Sequence, residues 1–130
     1  MKCGTCGRPV VFAFGKLDKD CNCPAIKEEG TKHDSQKIRL ELLPTEALEE
    51  VAKVLAFGAK KYDDWNWAKG MAYSRLIGAF FRHSFAWARG IDKDQETTLS
   101  HLSHAACCIL FLITYELKGL GTDDRPKINN

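Results

Sequence analysis

Beyond residue 30 the apolar positions recur every three and four residues, the repeat of helices buried on one side. The pattern predicts a first helix from about Pro44 to Tyr62, with Leu48, Val51, Ala52, Leu55, Ala59 and Tyr62 in one apolar stripe. Pro44 suits a first helical turn, and Glu46, Glu49 and Glu50 complement the positive end of the helix dipole. A second helix, from about Ala72 to Arg89, is stopped by Gly90. A third runs from about Thr97 to Lys118 and is stopped by Gly119 and Gly121, with capping groups in Asp-Gln-Glu-Thr at 94–97. Before residue 31 only Val10–Phe14 reads as a strand. The fold class is therefore all-α: a small helical bundle over residues 31–121, preceded by a separate segment 1–30 and followed by a solvated tail, 122–130.

Composition narrows this picture. In 130 residues, 45% apolar side chains are enough for one real core, so wholesale disorder is excluded. The formal net charge is +2, split as +1 over residues 1–30 (five basic, four acidic) and +1 over 31–130 (fourteen basic, thirteen acidic). Neither part carries the basic excess of a nucleic-acid or membrane-surface binder. The apolar run Ala105–Ile113 is about half of what a bilayer span needs. No secretory leader precedes the first helix, so the expected compartment is the cytoplasm, where clustered cysteines read as a metal site rather than as disulfides.

Four of the six cysteines fall in the first 23 residues, as Cys3-x2-Cys6 and Cys21-x-Cys23. Two close thiolate pairs bridged by a short insert suit tetrahedral Zn²⁺, in the manner of a zinc knuckle or ribbon. Such a closed site would staple a segment too poor in apolar residues to fold alone, and would do no chemistry. Four free thiols are the plain alternative.

The helices carry the chemistry-bearing residues. On the second, Arg75, Arg82 and Arg89 recur every seven residues in an otherwise apolar sequence, which predicts a helix buried on several sides. The arginines fit either salt bridges to the first helix or a phosphate clamp. His83 points from the apolar face, as a core histidine or a ligand. His101 and His104 share a face of the third helix, just after the acidic loop Asp92-Lys-Asp-Gln-Glu96. Imidazoles and carboxylates at a helix start suit a divalent cation with a bound phosphate; a solvated loop beside a half-buried histidine pair is the other reading. Between the first two helices, Lys60, Lys61, Asp64, Trp65, Asn66 and Trp67 combine phosphate-type cations with aromatics that can stack on a base. A structural corner stapled by two tryptophans is the alternative. Phe57, on the polar side of the first helix, predicts a cleft or partner there, and with the apolar second helix it predicts a homo-oligomer, dimer or tetramer.

The run from Lys32 to Leu117 resembles the phage dATP/dGTP diphosphohydrolase family. The matching pieces are Lys-x-Asp-x2-Lys-x-Arg-x2-Leu-Leu-Pro at 32–44, Glu-Ala-Leu-Glu-Glu-Val-Ala at 46–52, Phe-Gly-Ala-Lys-Lys-Tyr at 57–62, Asn-Trp-x-Lys-Gly at 66–70, Arg-His at 82–83 and Asp-x-Glu-Thr-x3-His-Leu-x-His-Ala at 94–105. The resemblance implies a MazG-like all-α nucleotide pyrophosphohydrolase, with Mg²⁺-dependent cleavage of a purine dNTP to monophosphate and pyrophosphate in phage nucleotide-pool remodelling. It leaves residues 1–30 uncovered. The wider superfamily uses Glu-Glu-x2-Glu followed by Glu-x2-Asp on a later helix. Here Glu46-x2-Glu49 can supply the first element, and His101-x2-His104 stands where the second carboxylate pair would be.

On this basis Mg²⁺ is assigned to Glu46, Glu49 and Glu50, with Asp92, Glu96, His101 or His104 as the opposite wall. A free Glu or His104 would accept the proton of the attacking water. Lys60, Lys61, Arg75 and Arg82 would hold phosphates, and Asp64, Trp65, Asn66, Trp67 and His83 would meet the rest of the substrate. The rival reading is a non-catalytic zinc-binding adaptor or nucleotide-binding protein.

Overall fold

The computed structural model describes Phe12–Ala13, Lys16–Leu17 and residues 29–128. Contacts divide the chain into two units, Met1–Ile38 and Arg39–Asn130, eight residues beyond the boundary expected near Gly30. Residues 31–38 are exposed throughout.

In the first unit, β1 (Phe12–Ala13) pairs antiparallel with β2 (Lys16–Leu17), Phe12 opposite Leu17. β1 lies inside the apolar run Val10–Phe14. The four cysteines assigned to Zn²⁺, Cys3, Cys6, Cys21 and Cys23, lie outside the described residues.

The second unit is built of α1 (Thr45–Lys61), α2 (Tyr73–Ala88) and α3 (His101–Lys118). α3 packs against both of the others, most extensively against α2. α1 is rich in Ala, Glu, Leu and Lys, residues that lose little rotamer freedom in a helix. Glu46 in its first turn and Lys60 and Lys61 in its last complement the dipole. Its inward side is narrower than the expected stripe. Val51 and Val54 are buried against Cys107 of α3, whereas Ala52 and Tyr62 face solvent, because one turn of α1 makes most of the contact. Burying each valine side chain contributes about 1.5–3 kcal/mol.

α3 is the central element. Ser100 caps it, its hydroxyl accepting from the Leu102 amide, and Gly119 ends it in the left-handed region at φ 66°. The helix therefore starts four residues later than expected. Asp94 binds the amides of Glu96 and Thr97 in a turn of its own, and Thr98 sits at φ 61°, which breaks helical continuity. Tyr115 is fully buried, and its hydroxyl donates to the Trp67 carbonyl across 48 residues of sequence.

α2 corrects a second expectation. Of its apolar residues only Leu76 is buried, and Phe81 and Phe85 are 48% and 54% exposed, with their rings stacked 5.6 Å apart. One neighbour, α3, cannot cover a helix that is apolar nearly all round. The N-terminus of α2 is completed from far along the chain: Asp124 accepts from the Ser74 amide at 2.8 Å and from the Ser74 hydroxyl. Thr122 bridges to Ala72, and Gly121 comes so close that a Cβ there would lie 2.5 Å from the Met71 carbonyl. Residues 122–128 are exposed as expected, but their first part is tied to the bundle.

Among the described residues no helix is long and apolar enough to cross a membrane.

Candidate functional site

The three helices and the segment joining α1 to α2 enclose a cavity of about 890 Å³, in the range of small-molecule sites. α1 supplies its wall from Val54 to Tyr62, α2 contributes Arg75, Arg82 and His83, and α3 contributes His104, Cys107 and Cys108. Asp63, Asp64, Trp65, Asn66 and Trp67 close one side.

The two tryptophans play different parts. Trp67 stacks on Phe111 at 5.1 Å and is the structural staple of this corner. Trp65 is 71% exposed and sits at φ 63°, a left-handed conformation costly for a residue with a bulky side chain. Its ring tilts against Trp67 at 5.9 Å and is otherwise open at the edge of the cavity. Arg75 and Arg82 are exposed, and among the described residues neither joins a salt bridge, so the expected alternative of pairing with α1 does not occur. Both guanidinium forks are available at the cavity.

Behind His83 and His104 lies a polar cluster. His83 Nδ1 meets His101 Nδ1 at 2.8 Å, and the His83 ring stacks on His104 with centroids 4.5 Å apart and planes 11° from parallel. Thr97 Oγ1 lies 2.7 Å from His104 Nε2 and 3.2 Å from the Asp94 carboxylate. An ionised carboxylate only accepts, so the single Thr97 proton goes to Asp94. His104 Nε2–H then donates to Thr97, leaving His104 Nδ1 as its lone-pair nitrogen. Burial, then the neighbouring imidazoles, push the His83 pKa down. Burial also lowers that of His104, against the opposing pull of Asp94. Both rings are therefore neutral near pH 7. For Asp94, burial would raise the pKa, but hydrogen bonds from Thr97 and the nearby histidines outweigh it and hold the carboxyl ionised. One ligand atom each from His83, Asp94 and His101 lie within 4.8 Å of one another.

The expected residues thus separate into groups. Asp64, Trp65, Asn66, Trp67, Arg75, Arg82, His83 and His104 line one cavity. His101 joins them through His83. Lys61 pairs with Glu96 at 2.9 Å, which occupies both groups elsewhere. Lys60 does not line the cavity, nor do Glu46, Glu49 and Glu50, which lie on the first turns of α1; Glu50 pairs with Lys53. Asp92 offers its backbone carbonyl to the His101 amide, and its side chain faces solvent. The acid of this loop that turns inward is Asp94, a member of the acidic loop and a capping candidate, rather than Asp92 or Glu96, which the sequence assigns to Mg²⁺. Cys107 and Cys108 are buried free thiols, and burial pushes Cys107 up to about 12.

The cavity within this all-α bundle thus gathers cations, carboxylates, imidazoles and an exposed aromatic. Residues 27–125 match the family described as dATP/dGTP diphosphohydrolase, N-terminal, and the chain belongs to that family. It is 38% identical over 96 residues to the dATP/dGTP diphosphohydrolase of Salmonella phage PMBT28, a match covering 74% of this chain and 33% of that protein. The chain thus spans about a third of that relative's length. No solved structure matches it.

Proposed function

We propose that this chain hydrolyses a purine deoxynucleoside triphosphate, dATP or dGTP, to the monophosphate and pyrophosphate, with Mg²⁺, as a step in remodelling a phage nucleotide pool. The observation that carries the reading is one cavity lined by Arg75 and Arg82, which join no salt bridge among the described residues, by the exposed Trp65 and by the imidazoles of His83 and His104. Family membership supports the substrate class.

Arg75 and Arg82 would grip the phosphates as planar forks. Trp65 would stack on the base, and Asn66 would supply the paired donor and acceptor that read a base edge. Mg²⁺, when bound with the triphosphate, neutralises phosphate charge. It takes oxygen ligands, commonly one or two carboxylates beside phosphates and water. Asp63 and Asp64 fit that requirement in the cavity, whereas the assignment to Glu46, Glu49, Glu50, Asp92 and Glu96 finds no support in the cavity lining. His104, neutral and with Nδ1 unprotonated, is the group suited to accept the proton of the attacking water. A homo-oligomer is part of the proposal, because the apolar side of α2 is open in the single chain.

The purified chain is to be incubated with dATP or dGTP and Mg²⁺, and the products separated by anion exchange. Monophosphate and pyrophosphate in equal amounts are expected, with turnover falling at least about tenfold in Arg82→Ala, the scale of one lost charge-assisted contact. Release of single phosphates, or no turnover of either nucleotide, would overturn the proposal.

A further inference from the structure

We propose that His83, Asp94 and His101 form a binding site for a first-row transition dication such as Zn²⁺, Mn²⁺ or Co²⁺, separate from the carboxylates that suit Mg²⁺. The inference does not depend on the nucleotide reading.

Two imidazole nitrogens and one carboxylate oxygen are within 4.8 Å of one another at the junction of α2, the loop after it and the start of α3. Nitrogen donors favour transition ions over Mg²⁺, which takes oxygen. The set of two histidines and one carboxylate leaves a further coordination position open. The 2.8 Å between the two Nδ1 atoms is short for a shared ion. At metal–nitrogen bonds of about 2.0–2.1 Å in tetrahedral geometry, the two nitrogens sit about 3.3 Å apart. A half-ångström opening of the two rings supplies this, with each ring then carrying its proton on Nε2.

The charge balance points the same way. The Asp94 side chain is only 20% exposed, and among the described residues it has no Lys or Arg within 4.0 Å; the group it approaches at that distance is His104. A largely buried carboxylate with no Lys or Arg beside it lacks a counter-ion, and a dication between it and the two imidazoles provides one. The positive end of the α3 dipole disfavours a cation here, and the Asp94 charge offsets it.

The supporting groups are of the kind that orient metal ligands. Asp94 is fixed by the Glu96 and Thr97 amides and the Thr97 hydroxyl, and His83 is held flat against His104. The loop is closed by a bridge between Lys93 and Ser100 and by the left-handed Thr98, a strained conformation that turns Asp94 inward.

The test must set aside the N-terminal cysteines. The full chain carrying Cys3→Ser, Cys6→Ser, Cys21→Ser and Cys23→Ser is stripped with a chelator and titrated with Co²⁺ in the absence of nucleotide. One equivalent is expected to bind, with visible d–d bands and no near-ultraviolet thiolate-to-cobalt band. His83→Asn or Asp94→Asn in that background should abolish the bands while the helical circular dichroism persists. Thr97→Val, which leaves all three ligands in place, should weaken binding about 10–100-fold. The site is overturned if this serine-substituted background binds no Co²⁺, or if the bands survive both ligand substitutions. A persistent thiolate band, which would move the ion to Cys107 and Cys108, also overturns it.

Discussion

Trp65 shows how a single residue can serve a site at the expense of its own backbone. At φ 63° it holds a conformation that glycine adopts freely, and its ring is left in solvent at the edge of the cavity. Trp65→Gly is expected to change the unfolding free energy by no more than about 1 kcal/mol, since relief of strain offsets the greater freedom of the unfolded chain. The same variant should weaken binding of a purine nucleotide about tenfold or more, the worth of one base–aromatic stack. Thermal melts beside a fluorescence titration separate the two effects, and Trp65→Ala, which keeps the strain, should lose the binding to the same extent. Cys107 makes the opposite case, a reactive type silenced by its place. With its thiol pushed up to about 12 and Cys108 also raised by burial, neither is expected to react with iodoacetamide at neutral pH until the fold is opened, as peptide mapping would show. Much of this scale was legible in the sequence. The three-residue spacing put His101 and His104 on one face, and the aromatic–amide run at 65–67 marked the cavity. What was not legible was the choice of Asp94 over Asp92 and Glu96. That choice is made by the Thr98 backbone and by the capture of Glu96 by Lys61, neither of which periodicity records.

Helix limits were the most readable feature of the elements, and they failed where a side chain from elsewhere intervened. α1 and α2 begin and end within one residue of the apolar pattern. α3 starts late because Asp94 offers the backbone a competing turn. The cap of α2 could not be read at all, since Ala72 at its N-terminus has no capping group and Asp124 provides one from 50 residues away. That cap has a pH signature. Hydrogen bonds from the Ser74 hydroxyl and amide hold the Asp124 carboxyl below its ordinary 3.8. The folded form therefore releases the proton more readily than the unfolded chain. The contribution is full above pH 3.8 and is lost as the pH falls through the depressed value. Asp124→Ala should lower the melting temperature at neutral pH, and circular dichroism melts of variant and parent should converge at the acid end.

At the scale of the whole molecule, a bundle this small cannot cover its own apolar surface. Phe81 and Phe85 on α2 and Ile109, Leu110 and Ile113 on α3 remain exposed in the single chain. The apolar sequence of α2 predicts burial on several sides, and it carries no information on whether the covering surface belongs to the same chain. Light scattering on the purified chain should report a dimer or larger species, and Phe85→Glu should shift it toward the monomer without loss of helical signal; a wild-type monomer would remove the oligomer from the proposal. The joining of Ser74 to Asp124 has a consequence in time as well as in space. A ribosome adding about 5–20 residues per second needs roughly 3–10 s to make the 50 residues between them. For most of that interval α2 has neither its cap nor a complete α3 to lie against, so the nascent chain must hold its most aromatic helix unfinished until Asp124 has been added.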